Sequence, residues 1–491
     1  MKAPPPIEAA AGPARPLPRA GASVVSLGSG ALGARLVAFV GTAYLARVLG
    51  PAAFGVIGFA LAITKYFRLA VDGGFNPVGA REVALHPGRA SSIAASVVVF
   101  RLTLAALALV LLGIVALVLP KPVDTRLVVF LMGLEFIGLA VDTSWVYKGL
   151  ERNRAAGLAL IIAEAGSVAA LLLFVHDPTD VVVVPVAMLF GQLVAAGYLA
   201  WPLFRARRFH ARFRQGLDLF RQSSFLIVSK VMRVLFFSVD VLLLGLMVGD
   251  VAVGLYTAAY RVVFVLTALS GTVAFAYLPE FTRTERGGGG LHGVAARSLE
   301  LSSALVFPAL IGGVLLAEPL MVGVFGADYA GAAPAFQMLL VSIGFSFFRS
   351  TPSNVLLVKD RLRLDMWIVS GATALNVVLN AVWIPRFGLE GAAAATLVSE
   401  LANCLGAGLA MVSLGVTVRL RTFVRTAIAA GAMGLVVALA PDWNVFVRVG
   451  LGAMVYGVAL VSLGGVPEDA RDAIRTLHAR FPRSSDTPAE E

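Results

Sequence analysis

The chain has 491 residues, of which 58% are hydrophobic and 14% are charged, and its formal net charge is +11. Soluble domains are roughly 45–50% apolar and about 25% charged, so this composition excludes an ordinary soluble protein. Apolar stretches of about 20 residues recur along the sequence, and that length crosses a hydrocarbon core of about 30 Å. We therefore expect an all-α polytopic membrane protein.

The positive charge does not indicate a nucleic-acid partner. Most of the 40 Lys and Arg residues lie in every second connection between apolar stretches, as the positive-inside rule predicts. The single cysteine, Cys404, excludes an intramolecular disulfide. The five histidines are scattered among the connections without ligand spacing, so we predict no metal site and no cofactor.

The chain begins with residues 1–23, which are rich in Pro and Ala and typical of a disordered cytoplasmic tail. About fourteen apolar segments follow, each about the length of a membrane span. Their approximate limits are 24–48, 53–74, 92–119, 126–147, 156–175, 180–203, 223–248, 252–279, 298–316, 333–357, 365–384, 390–414, 422–440 and 444–463.

The distribution of basic residues predicts the orientation of these segments. If the N-terminus is inside, the cations on the outer side are Arg47, Lys121, Arg126, Arg386 and Arg448. Nearly all other cations of the connections and tails then lie in the cytoplasm. We therefore predict a multi-pass protein of the cytoplasmic membrane with both termini in the cytoplasm.

The most specific pattern lies in the first 82 residues. The sequence YLARVLGPAAFG occupies residues 44–55, and the next apolar run carries Lys65, Arg68 and Asp72. That run ends in GGFNP at residues 73–77, followed by Arg81 and Glu82. These residues resemble the N-terminal signature of the polysaccharide-biosynthesis export family. Its superfamily also contains multidrug/cation antiporters and lipid II flippases.

The resemblance implies two lobes of six helices around a central cavity, with the first, second, seventh and eighth helices facing it. It also implies a cargo, an oligosaccharide on a polyprenyl pyrophosphate, carried from the cytoplasmic to the outer leaflet. A polysaccharide polymerase and a chain-length regulator are partners that the resemblance suggests, besides membrane lipids.

The chain itself supports a division into two related halves. GPAAFG at 50–55 and GDVAVG at 249–254 follow the first and seventh segments with the same glycine spacing. The predicted domains are an N-terminal lobe (24–204), a connector (205–222), a C-terminal lobe (223–414), two extra spans (415–464) and a cytoplasmic amphipathic helix with its tail (465–491). Arginines alternate with phenylalanines in the connector, which fits either a basic helix at the lipid interface or a solvated linker.

Charges inside the spans are the candidate site residues, because an ionised group at membrane depth is costly unless it faces water or a partner. Arginine and lysine can replace the hydration of a pyrophosphate, so we predict that the intramembrane cations bind the cargo. They are Arg35, Lys65, Arg68, Lys230, Arg233, Arg261 and Arg349. The candidate carboxylates for ion coupling are Asp72, Asp240 and Glu135.

Structural interpretations compete with these assignments. Arg68 and Asp72 are spaced i, i+4 as an intrahelical ion pair. An intrahelical pair is also the competing interpretation for Arg233 and Asp240, which lie seven residues apart on one helix face. Glu135 is equally compatible with neutralising an arginine on a neighbouring span. Arg101 lies close enough to the cytoplasmic end of its segment for its side chain to snorkel to the interface.

These observations predict a flippase for a lipid-linked oligosaccharide rather than an enzyme. The first alternative is a drug or metabolite cation antiporter of the same superfamily, which would favour carboxylates over cations in its cavity. A membrane polymerase or glycosyltransferase is a further alternative, but the sequence contains no Asp-x-Asp pair. The glycine run at 287–290 lacks the Gly-Lys-Ser/Thr ending of a phosphate-binding loop.

Overall fold

A computed structural model describes residues 18–205, 210–418, 421–440 and 443–466. Side chains are described for the same ranges except residues 18–29, 224–237, 265, 268, 269 and 422. Within these ranges the chain is helical and contains no strand, which confirms the all-α prediction.

The helices are numbered here in chain order. They are α1 Pro18–Asp72, α2 Phe75–Leu85, α3 Ala90–Val118, α4 Val123–Met132, α5 Glu135–Val141, α6 Ser144–Gly149, α7 Asn153–Phe174, α8 Val184–Phe204, α9 Phe213–Met247, α10 Asp250–Arg286, α11 His292–Leu315, α12 Ala317–Phe325, α13 Ala333–Val358, α14 Leu362–Ser413, α15 Arg421–Leu439 and α16 Val445–Ser462.

Two helices are long because each contains two predicted spans. Helix α1 has 55 residues and α14 has 52, and each is interrupted by one glycine with positive φ, Gly50 at 70° and Gly388 at 55°. A residue without Cβ adopts this conformation at little cost, so the chain can turn from one span into the next with almost no loop.

Thirteen of the fourteen predicted segments lie mainly within one helix each, whereas segment 126–147 is divided among α4, α5 and α6. In the described part of the chain, nine helices are long and apolar enough to cross a membrane. Two shorter apolar helices, Ser238–Met247 and Phe423–Leu439, add to these. The number of segments that cross the bilayer stays a prediction.

Several boundaries differ from the sequence-based prediction. Helix α1 begins at Pro18, within the predicted tail 1–23. The short helices α2 and α12 were not expected from the apolar pattern, because each lies beside a longer apolar run. Residues 1–17 of the tail, and the predicted amphipathic helix and tail beyond residue 466, lie outside the described residues.

The chain forms two compact units. The first unit comprises residues up to 42, residues 64–176 and residues 182–231. The second unit comprises residues 43–63, 177–181 and everything from residue 232. Residues 43–63, which fall within the predicted N-terminal lobe 24–204, pack within the second unit.

The core of the first unit is aromatic and includes the start of α9. The Phe100 ring lies 6.0 Å from Phe75, 5.1 Å from Phe213 and 5.5 Å from Phe220 between ring centroids. The backbone N–H of Arg212 donates to Ser96 Oγ at 2.9 Å. From Phe213 the predicted connector 205–222 forms the first turns of a 35-residue helix, which packs against α3.

The second unit is built around α13, with α10, α11 and α14 packed against it. Lipid is as apolar as these side chains, so close packing of small residues is what holds such helices together. Ala392, Ala393 and Ala395 of α14 are fully buried. Helices α15 and α16 pack against α11, where Tyr456 Oη donates to the Ala304 carbonyl at 2.7 Å.

The hairpin of residues 43–63 is held in the second unit by backbone contacts and by one arginine. A Cβ atom on Gly55 would overlap the carbonyl oxygen of Asp250, and one on Gly254 would overlap that of Pro51. Arg47 donates from Nε to the Val324 carbonyl at 2.8 Å and from Nη2 to the Gly323 carbonyl. The guanidinium therefore caps the C-terminal end of α12, where a cation is favoured.

Candidate functional site

Arg68 and Glu135 form an ion pair in the first unit. Arg68 Nη1 lies 2.9 Å from Glu135 Oε2, and the two side chains are 46% and 9% exposed. Within the described part of the chain, Arg68 Nε and Nη2 donate to no other group. Arg68 therefore pairs with Glu135 of another helix rather than with Asp72. Its Nε and Nη2 remain available to donate hydrogen bonds to a ligand.

Arg101 is fully buried, so the interpretation that its side chain snorkels to the interface is wrong. Its Nη2 lies 3.1 Å from the Asp72 carbonyl and 3.6 Å from Asp72 Oδ1. The guanidinium carbon lies 5.0 Å from the centre of the Phe75 ring. Asp72 also accepts a hydrogen bond from Asn76 Nδ2 at 3.2 Å.

Two more predicted cations of the first unit, Arg35 and Lys65, are exposed on α1. Arg35 forms no hydrogen bond or ion pair with the described residues. Lys65, Arg68 and Asp72 are spaced i, i+3 and i+7, so they share one helix face. The first unit thus presents three exposed cations on α1, Arg35 before the turn at Gly50 and Lys65 and Arg68 after it.

The predicted cations of α9 and α10 are only partly described. Arg261 is exposed on α10. Lys230 and Arg233 fall in α9 beside the boundary between the units, and their side chains lie outside the described ones.

Asp240 is buried in the second unit, with 2% of its surface exposed. Tyr256 Oη donates to Asp240 Oδ2 at 2.5 Å and lies 3.4 Å from Thr396 Oγ1. The backbone N–H of Val241 donates to the other carboxylate oxygen at 2.8 Å. The tyrosine hydroxyl therefore connects α9, α10 and α14.

Arg349, the last predicted cation, belongs to a polar network within the second unit. Its Nε donates to Asn403 Oδ1 at 2.8 Å and its Nη2 to Asp365 Oδ1 at 2.9 Å. Glu400 lies one turn before Asn403 on α14 and is 7% exposed, and its Oε2 has no hydrogen-bond partner among the described atoms. Arg349 is therefore neutralised by Asp365 and is less open to a ligand than Arg68.

Tyr256, Asp365 and Asn403 are absent from the residues predicted from the sequence. Polar residues inside apolar segments could have indicated them, but the sequence also contains many small polar residues that only bond their own helix. Among the described residues, no three His, Cys, Asp or Glu side chains come together as a metal site.

Sequence comparisons connect this arrangement to known proteins. A family model described as polysaccharide biosynthesis protein matches residues 20–285. A probable low-salt glycan biosynthesis flippase, Agl15 of Haloferax volcanii, is 26% identical over 382 residues, which are 74% of this chain and 78% of the relative. A putative O-antigen transporter of Escherichia coli is 23% identical over 248 residues, which are 49% of this chain and 60% of the relative.

Solved structures share the fold. The lipid II flippase MurJ in an inward closed conformation has a TM-score of 0.71 at 14% identity, covering 92% of this chain and 100% of MurJ. A multidrug resistance MATE transporter in an inward-facing conformation has a TM-score of 0.61 at 15% identity, covering 78% of this chain and 95% of the transporter. At these identities the likeness is one of architecture alone.

Proposed function

Because the chain belongs to the polysaccharide biosynthesis protein family, we propose that it is a flippase for a polyprenyl-pyrophosphate-linked oligosaccharide. It moves this cargo from the cytoplasmic to the outer leaflet for synthesis of a surface polysaccharide. The names of the relatives, a glycan biosynthesis flippase and an O-antigen transporter, support a membrane transporter of glycan precursors rather than an enzyme.

The observation that carries the proposal is the set of exposed cations on α1, Arg35, Lys65 and Arg68. Charges at membrane depth are retained where they serve a wet pathway or a charged ligand. Arg68 is bound to Glu135 through one nitrogen only, and its remaining donors are spaced to bind phosphate oxygens in a bidentate manner. Lys65 and Arg35 add charge for a diphosphate.

Four further cations stay in the proposed binding set, Lys230 of the first unit and Arg233, Arg261 and Arg349 of the second. Arg261 is exposed in the same way as the cations of α1. Arg349 is enclosed by its contact with Asp365. The sugar would be bound by polar groups, and the lipid tail would remain in the bilayer.

Directional transport requires an ion gradient or removal of the product on the outer side, and we propose that carboxylates respond to such a gradient. Alternating access needs an ion or ligand that binds one state better than the other. Asp240 is enclosed and bonded to Tyr256, while Asp72 and Glu135 each neutralise an arginine. Protonation of any of them would change a charge next to the helices that carry the proposed cargo site.

A cation antiporter is the alternative function, and the MATE architecture is compatible with it. It would require an exposed carboxylate as the main ligand. Glu135 and Asp240 are both below 10% exposed, whereas the exposed charges on α1 are basic. The charge of the accessible surface therefore favours an anionic cargo.

The proposal is tested with purified protein in proteoliposomes that contain a fluorescent polyprenyl-pyrophosphate oligosaccharide. Flipping is measured as the fraction of label that an impermeant quencher reaches over time. We expect protein-dependent flipping of the pyrophosphate-linked glycan and none of a neutral glycolipid with the same sugar. Equal flipping of both lipids would contradict an anionic cargo, and export of an organic cation alone would support the antiporter.

A further inference from the structure

Two helices of the first unit end inside predicted membrane spans. Helix α1 ends at Asp72, and Gly73 and Gly74, with φ of 56° and 66°, lead into α2. Helix α5 ends at Val141, and α6 begins at Ser144. Both ends fall within continuous apolar stretches, Gly30–Leu85 and Val123–Gly149. Carbonyl groups freed at such ends need partners, because lipid supplies none.

One side chain from a third helix contacts both ends. Arg101 of α3 approaches the Asp72 carbonyl with Nη2 at 3.1 Å. Its Nη1 approaches the Leu139 carbonyl at 3.4 Å and the Asp142 carbonyl at 3.5 Å. These bonds are long, but the guanidinium is buried and positively charged, and a cation at two helix C-termini is doubly favoured.

The two helices that Arg101 joins also carry the ion pair between Arg68 and Glu135. Arg68 lies one turn before the end of α1, and Glu135 is the first residue of the seven-residue helix α5. A shift of either helix end would change the 2.9 Å contact between Arg68 and Glu135 and the direction of the open Arg68 donors.

We propose that Arg101 is a positioning residue for the cargo site. It fixes the ends of α1 and α5, so that Glu135 orients Arg68 and leaves two of its donor groups open to the diphosphate. This inference rests on the proposed function for the identity of the cargo. Arg101 itself is fully buried and does not touch the cargo.

A variant that removes only Arg101 would leave the Asp72 carboxylate with less compensation and could fail to fold. The neutral double variant R101M/D72N avoids this, since it removes both charges of the pair together with the bonds to the three carbonyls. R101K keeps the positive charge. Its ammonium group, unlike the planar guanidinium of arginine, cannot donate to separate carbonyls on two helices. The matched control is R297Q/E280Q, which removes an interhelical ion pair of the second unit.

Two measurements on the full chain in detergent test the proposal. The first is amide hydrogen exchange of residues 69–76 and 135–142. The second is binding of farnesyl pyrophosphate, followed by isothermal titration calorimetry. For R101M/D72N we expect faster exchange confined to these two segments and binding weakened by about tenfold, because a site displaced by about 1 Å loses much of its contact energy. R101K should be intermediate, and the control should match the wild type in both measurements.

The outcomes separate the two proposals. Unchanged exchange at both segments in R101M/D72N would overturn the positioning role, whatever the binding result. Faster exchange with unchanged binding would also overturn it, because the cargo site would then not depend on the helix ends. If the wild type binds no farnesyl pyrophosphate while the exchange changes as expected, Arg101 still fixes the helix ends and the pyrophosphate cargo is wrong.

Discussion

Gly55 packs against the first residue of the helix that contains Gly254, and Gly254 packs against the start of the helical segment that contains Gly55. Gly55 lies against the carbonyl of Asp250 and Gly254 against that of Pro51. Each follows by five residues a glycine with positive φ, Gly50 at 70° or Gly249 at 132°. The two similar sequences at 50–55 and 249–254 therefore pack against each other in a reciprocal way, and neither contact leaves space for a side chain.

The first prediction follows from this contact. Gly254→Ala should lower the free energy of unfolding by about 1–3 kcal/mol, because the methyl group forces two backbones apart. Gly271→Ala on the same helix is the matched control, since a Cβ there meets nothing within 4 Å. The control should be neutral or stabilising by up to about 1 kcal/mol. Melting midpoints in detergent measure both, and equal midpoints would show that the contact tolerates a methyl group.

The second prediction concerns the arginine that caps α12. Arg47→Ala removes a cation from two helix-terminal carbonyls and should cost about 1 kcal/mol of stability. Arg386→Ala is the control, because this exposed arginine forms no hydrogen bond or ion pair in the described part of the chain. It should change stability by less than about 0.5 kcal/mol. A loss of the same size in both variants would assign the effect to charge alone.

A third prediction tests the cargo cations. Alanine at Arg35, Lys65, Lys230 or Arg261 should stop flipping while the protein remains inserted and monodisperse. Arg35→Lys should recover only part of the activity, because an ammonium cannot reproduce the bidentate fork. Arg363→Ala, at an exposed position near the start of α14, should flip at the wild-type rate. Normal flipping by all four alanine variants would exclude a cationic cargo site.

The fourth prediction concerns the proposed ion coupling. An imposed proton or sodium gradient should speed flipping by the wild type in the proteoliposome assay. Asp240→Asn should blunt this response and leave slow equilibration intact, since the amide cannot gain or lose a charge. Tyr256→Phe removes the 2.5 Å hydrogen bond but keeps the Asp240 carboxylate. The effect of the gradient on the flipping rate should therefore change in size without disappearing. A full gradient response in Asp240→Asn would make this carboxylate structural.

Asp72→Asn belongs to the same experiment but requires a separate check of folding. It removes the carboxylate beside Arg101, which is fully buried. Removing one partner of a buried ion pair typically costs about 3–5 kcal/mol. We therefore expect low yield from Asp72→Asn, and a gradient response should be measured only on the monodisperse fraction.

Much of the fold was predictable, because apolar length and turn residues are local properties of a sequence. Each predicted span except 126–147 lies mainly within one helix, and the glycines at 50 and 73–74 mark a turn and a helix end. The pairing of charges was not predictable in the same way. Asp72 is four residues from Arg68, but the partner chosen in the structure, Glu135, lies 67 residues away.

Arg101 illustrates a second limit of the sequence. Its position near one end of an apolar run predicts an interfacial side chain, whereas three of its partners are backbone carbonyls. Every residue has a carbonyl, so no residue type in the sequence marks such an acceptor. Only the ends of α1 and α5 make those carbonyls available, and the end of α5 carries no glycine signal.

The hairpin of residues 43–63 has a consequence for how the protein is made. Its contacts are with α9, α10 and α12, although the chain on both sides of it belongs to the first unit. Ribosomes add about 5–20 residues per second, so Gly254 follows Gly55 by about 10–40 s. During that interval the residues against which Gly55 packs have not yet been synthesised. Maturation of the first two spans is therefore completed only after the seventh and eighth have left the ribosome.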